Sequence, residues 1–149
     1  MKFELFVEGH PTTKGSLNWF GSGNKVCNAN ERTKTWEQWI QWTWMQSENY
    51  RTIKLKGPVE INLIFYFNRP KAHFGTGRNS DKIKPRFAHM TRPCVRKDDL
   101  DKLSRAVFDA LTSHAYQDDG QIAYLVATKN WTDKENPVEG VQIILKGDI

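Results

Sequence analysis

The stretch KDDLDKLSRAVFDALTSHAYQDDGQ, residues 97–121, organises this chain. Five of its six acidic residues form a first acidic group (Asp98, Asp99 and Asp101) and a second acidic group (Asp118 and Asp119). Between the two groups, apolar residues recur every three or four positions, which predicts an amphipathic helix over Leu100–Leu111. A helix of that length is about 18 Å long. The two acidic groups therefore stand before and after one short helix.

The pattern of apolar residues in the rest of the chain predicts four strands and a second helix. The strands are expected at residues 3–7, 58–67, 121–128 and 141–145, and the strand at 58–67 has the alternation of a central strand. A Gly- and Asn-rich loop covers residues 11–30, with a short hairpin around residues 21–24. The order β, α, β, α, β, β predicts a single α+β domain over residues 1–149, with two main helices packed on a mixed sheet.

The second helix is expected over about residues 34–50 and is rich in tryptophan. Asn30 or Thr33 would cap its start. Its buried face is predicted to contain Trp36, Trp39, Ile40 and Trp44. This face favours core packing or a dimer interface, and the alternative is that the rings stack on nucleic-acid bases.

The composition excludes several classes of protein. The chain has 149 residues, of which 38% are hydrophobic, so it can form a core without metal or disulfide links. No apolar run is long enough to span a membrane, and the first residues do not resemble a secretory signal. Cys27 and Cys94 have no nearby partner, which favours free thiols in the cytoplasm, that of a bacterial host if a phage encodes the chain. No glycine-rich phosphate loop is present, so no nucleotide cofactor is expected.

The charge distribution points to a polyanionic partner. The net charge is +5, and residues 69–97 contain nine Lys or Arg residues but only one acid, Asp81. This basic segment is predicted to be a long loop, either disordered or folded as a phosphate-binding flap. We favour the flap, because cations that displace counterions from DNA give strong, salt-dependent binding. The histidines match no metal-ligand spacing, and we interpret His10, His73, His89 and His114 as surface or loop residues.

The first acidic group has two interpretations. Residues two apart share a face in an extended chain but lie about 200° apart on a helix. Asp99 and Asp101 therefore work together only if the chain is still extended just before the helix. Alternatively, these acids merely cap the positive end of the helix.

Capping the helix does not explain Asp118 and Asp119, which follow it. If the loop at residues 112–117 brings both groups together, their carboxylates would suit a hard cation such as Mg²⁺; otherwise they lie in a solvated turn. Cations near such a site would offset charge on a phosphoryl group. The candidates are Lys97, Lys102, Arg105 and Lys129. Arg105 could instead form a helix-surface ion pair with Asp101.

Taken together, these motifs resemble the RusA family of Holliday junction resolvases. The specific part comprises residues 99–111 (DLDKLSRAVFDAL), residues 118–122 (DDGQI) and Lys129. Weaker matches are Gly9-x-Pro11-x-x-Lys14-Gly15 and Asn68-Arg69-Pro70.

The resemblance implies a RusA-like fold and a homodimer that cuts four-way or branched DNA by paired nicks. It also implies a catalytic cluster of Asp99, Asp101 and Asp119 that binds Mg²⁺, with Mn²⁺ as the other candidate. Three positions differ from the family pattern: Lys102 replaces an Asn, Arg105 replaces a catalytic Lys, and Asp98 replaces a common Pro. Arg105 keeps the charge but would be a poor proton shuttle, so Lys102 could supply the ammonium instead.

The residues predicted to contact DNA are all basic: Lys14, Arg69, Lys71, Arg86, Arg96, Lys97 and Lys129. Two other functions remain open on the sequence alone. One is a branched-DNA-binding module without catalysis, and the other is a nuclease of the same chemistry that prefers flaps or forks.

Overall fold

The computed structural model describes residues 1–15, 31–95 and 97–149, and only the backbone of residues 18–19 and 26–27. Its strands are β1 (Lys2–Glu8), β2 (Asn18–Trp19), β3 (Val26–Cys27), β4 (Lys56–Phe67), β5 (Ile122–Trp131) and β6 (Gly140–Asp148). Its helices are α1 (Glu31–Gln46) and α2 (Leu100–Leu111). Neither helix in this described part has the length and apolar character needed to cross a membrane.

The main sheet is mixed, with strand order β1-β6-β4-β5. β4 and β5 are parallel, whereas β6 pairs antiparallel with both β1 and β4. The parallel pair follows from α2: the chain leaves the carboxyl end of β4, runs back through the helix and enters β5 at its amino end. The predicted α+β class, with two helices on a mixed sheet, is confirmed, and so is the interior position of β4.

The core lies on one face of this sheet, under both helices. β4 contributes the alternating residues that the sequence pattern predicted to share a face: Val59, Ile61, Leu63, Phe65 and Phe67, all buried. α2 contributes Leu103, Ala106, Val107, Ala110 and Leu111, all 0% exposed. The opposite sheet face carries Glu60, Asn62, Ile64 and Tyr66, none of which is buried. The sheet therefore has one packed face and one open face.

The tryptophan-rich helix differs from its prediction. It begins at Glu31 and ends at Gln46, so it starts and ends earlier than residues 34–50. Trp36, Ile40 and Trp44 are buried as predicted, but the prediction for Trp39 is wrong because 43% of this residue is exposed. Its ring stacks on Trp42 at 4.8 Å, and its indole N–H donates a hydrogen bond to the Glu8 carbonyl at 2.6 Å.

Several element ends also differ from the prediction. β5 runs on to Trp131 instead of ending at residue 128, because its pairing with β4 continues to Phe67. β2 and β3 pair antiparallel, as a hairpin there requires. The turn predicted at residues 21–24 and the proposed cap Asn30 lie outside the described residues.

Gly140 gives a test of the sheet register. It pairs with Glu8 where β6 begins, and an added Cβ would overlap the Val7 carbonyl oxygen and approach the Phe6 ring to 2.7 Å. We expect Gly140→Ala to lower the free energy of unfolding by about 1–3 kcal/mol, since backbone must move. Urea denaturation would measure this change.

Gly147 provides a matched control in the same strand. An added Cβ there meets only the Leu55 methyl groups and the Pro58 carbonyl at 3.5 Å, an ordinary contact. Gly147→Ala should therefore change stability by less than about 1 kcal/mol. Equal losses for the two variants would contradict the described register.

Candidate active site

Asp99 stands immediately before α2 and does not act as a side-chain cap. Its backbone is extended (φ −63°, ψ 128°), and its carboxylate makes no capping hydrogen bond. Instead, Asp99 Oδ2 lies 3.2 Å from Lys102 Nζ, with both side chains nearly half exposed. The chain is therefore extended up to the start of the helix, as a shared site would need. Asp101 lies in the first helical turn.

Lys129 ties the first acidic group to the end of β5. It pairs in register with Phe65, which faces the helices, so its side chain lies on the packed face. Lys129 Nζ donates a hydrogen bond to the Asp98 carbonyl at 2.8 Å. The sequence predicted a DNA contact or a cation near the acids here, and the structure shows a lysine that also positions the chain before α2.

The two residues of the second acidic group have different environments. Asp118 Oδ1 accepts a hydrogen bond from the Gly120 N–H at 2.7 Å, and Gln121 Oε1 accepts one from the Asp118 N–H at 3.1 Å. This reciprocal cap stabilises the turn before β5. The exposed Asp119 carboxylate has no hydrogen bond or ion pair to any described residue. Asp118 is therefore structural, and Asp119 is left available for chemistry.

The second acidic group is fixed at the amino end of β4. The Gln121 side-chain amide donates hydrogen bonds to the carbonyls of Leu55 at 3.1 Å and Gly57 at 3.0 Å. Nearby, Tyr116 is fully buried and its hydroxyl donates to the Phe108 carbonyl at 2.9 Å. Burial, followed by the charges of Asp119 and Asp109, raises the pKa of Tyr116 well above its ordinary value. This hydroxyl therefore stays neutral.

One chain does not bring the two acidic groups together. The first group lies beside Lys129, and the second precedes Ile122 at the other end of β5. Seven strand residues separate these ends by about 23 Å. Accordingly, the described residues include no group of three or more His, Cys, Asp or Glu side chains that could hold a metal ion. The loop at residues 112–117 does not return along α2.

The cations predicted near the acids adopt different arrangements. Lys102 pairs with Asp99, whereas Arg105 and Asp101 are exposed and form no ion pair with each other. The alternative interpretation of Arg105 as a simple ion-pair partner of Asp101 is therefore not realised. The assignments of Asp99, Asp101 and Asp119 as metal ligands, and of Lys102 and Arg105 as catalytic residues, stay predictions.

Lys14 links the two helices. Its ammonium lies 3.0 Å from Glu37 Oε1 on α1 and 2.9 Å from Asp109 Oδ2 on α2. Partial burial alone would lower the pKa of Lys14, but hydrogen bonds and charges from Asp109 and Glu37 outweigh it and raise the pKa. The predicted DNA contact of Lys14 stays a prediction, and any phosphate would compete with these carboxylates.

The basic segment is folded rather than a structureless loop. Between Asn68 and Lys97, three short 3₁₀ turns occur at Lys71–His73, Gly77–Asn79 and Pro85–Phe87. An isolated bridge between Phe74 and Ile83 closes one loop of it. Lys71, Arg86 and Lys97 are exposed, as a DNA contact would require, whereas Arg96 lies outside the described residues.

An anchor cluster (Arg69, His73, Phe87, Met90 and Trp131) holds this segment against the end of β5. Arg69 donates hydrogen bonds to the Met90 carbonyl at 2.5 Å and to His73 Nδ1 at 3.1 Å. Its guanidinium also lies over the Trp131 ring at 5.0 Å, and the Trp131 N–H donates to Met90 at 2.8 Å. Arg69, predicted to contact DNA, is thus already engaged within the protein.

His73 corrects one sequence interpretation and completes the cluster. It is only 7% exposed, so its assignment as a surface histidine is wrong. Its ring stacks on Phe87 at 4.1 Å and meets Trp131 edge-on at 5.9 Å. Burial, then the charges of Arg69 and Arg86, lowers the pKa of His73, so a neutral ring accepts the Arg69 hydrogen bond. The sequence feature that could have indicated this contact is the four-residue spacing between Arg69 and His73.

Comparison with known families identifies the family of this chain. A family model described as Endodeoxyribonuclease RusA matches residues 8–144, nearly the whole chain. The chain belongs to the RusA family. It is therefore an endodeoxyribonuclease whose substrate is DNA. No curated protein matches the chain.

The anchor cluster of this RusA-family chain predicts acid sensitivity. Because folding lowers the pKa of His73, its contribution to stability is complete above the unfolded pKa of about 6.5 and is lost as pH falls through the folded pKa. We expect His73→Gln to be less stable than wild type at pH 8. The difference in melting temperature should narrow steadily toward pH 5, and a difference independent of pH would contradict this role of His73.

Proposed function

We propose that this RusA-family chain is a Mg²⁺-dependent endonuclease that resolves Holliday junctions by paired nicks. The observation that carries the proposal is the state of Asp101 and Asp119. Both are acids that the family resemblance assigns to the catalytic cluster, both are exposed, and neither has a partner among the described residues. A divalent ion held by such carboxylates would supply a Lewis acid and an activated water. The non-catalytic alternative treats these two carboxylates as solvated acids at a helix start and in a turn, and it predicts junction binding without cutting.

The separation of the acids favours a site shared by two copies of the chain. Asp99 and Asp101 lie at one end of α2, and Asp119 lies beyond the other end. One face of α2 is packed into the core, so the helix cannot shorten to bring them together. In a homodimer, Asp119 of one copy would meet Asp99 and Asp101 of the other. The nuclease would then need dimerisation for each of its two sites.

The free edge of β5 is the surface we propose for this dimer. β5 has β4 as its only neighbour in the described sheet, and it exposes Tyr124 (58%), Leu125 (44%) and Val126 (37%). Such an apolar edge pairs readily with another strand. A two-fold axis near Leu125 would pair two β5 strands antiparallel. The start of each β5, with Asp119, would then lie beside the end of the other, near Lys129.

The exposed cations complete the proposed roles. Lys102 and Arg105 lie on α2 beside the first acidic group and would offset charge that develops on the scissile phosphate. Lys71, Arg86 and Lys97 project from the folded basic segment and would contact neighbouring phosphates. Junction binding should accordingly weaken with rising salt. A panel of four-way junctions, flaps and forks would establish which branched DNA is preferred.

Asp101→Asn tests the catalytic role of the acids. With Mg²⁺ and a synthetic four-way junction, we expect the cleavage rate to fall about 100-fold or more, because the substitution removes a charge from the reacting centre. Junction affinity, measured in Ca²⁺, should be kept. Asp148→Asn removes an exposed carboxylate at the end of β6, outside α2 and both acidic groups, and should cut normally. Equal rates for Asp101→Asn and wild type would remove the acids from the mechanism.

Mixed dimers test whether the site is shared. If Asp99 and Asp101 act with Asp119 of the other copy, a dimer of one Asp101→Asn chain and one Asp119→Asn chain contains one fully intact site. The tagged, co-purified mixed dimer should nick one strand of a junction, although each parent variant is inactive. Continued inactivity of the mixed dimer would mean that the site forms within one chain.

A substitution in β5 tests the proposed dimer interface. Leu125→Lys places a charge at the centre of the proposed interface, and sedimentation should show a larger monomer fraction than wild type. Tyr124 and Val126 stay unchanged in this variant, so only one position of the edge is altered. Wild-type protein that is strictly monomeric at micromolar concentration would contradict the shared site.

A further inference from the structure

A cavity on the open face of the sheet lies directly across β5 from the first acidic group. Its volume is about 470 Å³, and it opens where β4 and β5 end. Its lining includes an aromatic ring, two carboxamides, a hydroxyl and a guanidinium: Tyr66, Asn130, Asn136, Thr128 and Arg92. This volume exceeds that of a nucleobase, and none of these residues belongs to the acidic groups.

The polar groups of the cavity have unused hydrogen-bonding capacity. Asn130 spends one N–H on a long bond of 3.3 Å to Thr128 Oγ1, and its carbonyl oxygen has no partner among the described residues. The side-chain amide of Asn136 and the Tyr66 hydroxyl are also without partners in that part of the chain. A carboxamide presents a donor and an acceptor side by side, the pattern that recognises the edge of a base.

The charges of the cavity also suit a nucleotide. Asp133 is its one acid, and its Oδ1 already accepts hydrogen bonds from the backbone N–H groups of Glu135 at 2.9 Å and Asn136 at 2.7 Å. Arg92 belongs to the basic segment and is exposed. A guanidinium at the rim and neutral amides inside would hold a phosphate and a base, respectively.

Two residues that line the cavity, Thr128 and Asn130, lie on β5 next to Lys129. Thr128 and Asn130 flank Lys129 along the strand, and alternate residues point to opposite faces. Lys129 reaches the Asp98 carbonyl on the packed face, while its two neighbours line the cavity on the open face. One strand of the sheet therefore separates the acids from the cavity. Pairing of β5 with a second copy would lie in the plane of the sheet and leave this face open.

We propose that the cavity binds one unpaired base beside the scissile phosphate and so determines where a branched DNA is cut. This inference rests on the proposed nuclease function. A paired base cannot reach a cavity of this kind without leaving its stack, whereas the branch point of a junction offers bases that unpair at low cost. Tyr66 is the ring available for stacking, because Arg69 covers the Trp131 ring. Asn130 is the group that would read the base.

The test combines cut-site mapping with a fluorescent base. Asn130→Ala should lower the ratio of preferred to other cut sites about tenfold, the lower range for loss of one base contact. Four-way junctions carrying 2-aminopurine at single central positions, bound in Ca²⁺, should show a fluorescence change at one position with wild type. That change should be lost with Asn130→Ala. Asn62→Ala, on the same open face but outside the cavity, should match wild type in both measurements.

The two readouts separate this inference from the proposed function. Normal cutting with unchanged site preference and fluorescence in Asn130→Ala would overturn the base site and leave the nuclease intact. A protein that cuts no junction, but shows an Asn130-dependent fluorescence change on binding, would support the base site and refute the proposed reaction. A uniform loss of junction affinity in Asn130→Ala, without a change in preference, would also overturn the inference.

Discussion

The rigid length of α2 is the constraint on which the rest of this structure depends. Its apolar face packs against α1 and β5, and the central residues of that face are fully buried, so its length is fixed. It carries the chain from the carboxyl end of β4 back to the amino end of β5, which makes those strands parallel. It also separates the two acidic groups by about the length of a twelve-residue helix. This separation is the reason for proposing a site shared by two copies.

The cations of the basic segment and of β5 fall into two sets, those bonded within the protein and those exposed to solvent. Some are held internally: Lys129 by the Asp98 carbonyl, and Arg69 by Met90 and His73. Others, such as Lys71 and Arg86, project into solvent from a segment that the held cations keep in place. Pre-ordering a polyanion-binding segment lowers the entropy lost on binding. In the proposed DNA complex, the internal contacts would therefore support recognition without touching the ligand.

The sequence predicted α2 and β4 because each has one continuous apolar face with a single period. It failed for Trp39, because a helix with tryptophan at four nearby positions has more than one plausible face. Burial of His73 was not predictable, since Trp131 is distant in sequence and only the folded chain brings the rings together. The distance between the two acidic groups could not be predicted either, because the number of residues in a loop limits how far it can extend but does not give its direction. Residue type alone does not distinguish Asp118 from Asp119: the family resemblance selected Asp119, and the structure shows Asp118 engaged in a hydrogen bond within the turn.

The position of β6 has a consequence for biogenesis. This strand follows β1, β4 and β5 along the chain, yet in the sheet it lies between β1 and β4. While the ribosome is still making residues before Gly140, β1 has no sheet partner and one side of β4 stays unpaired. Native pairing of β1 and β4 must therefore wait until β6 has been made. Nascent chains that stop earlier would expose unpaired strand edges to chaperones or to each other. The rate of translation near Gly140 would then influence the yield of folded protein.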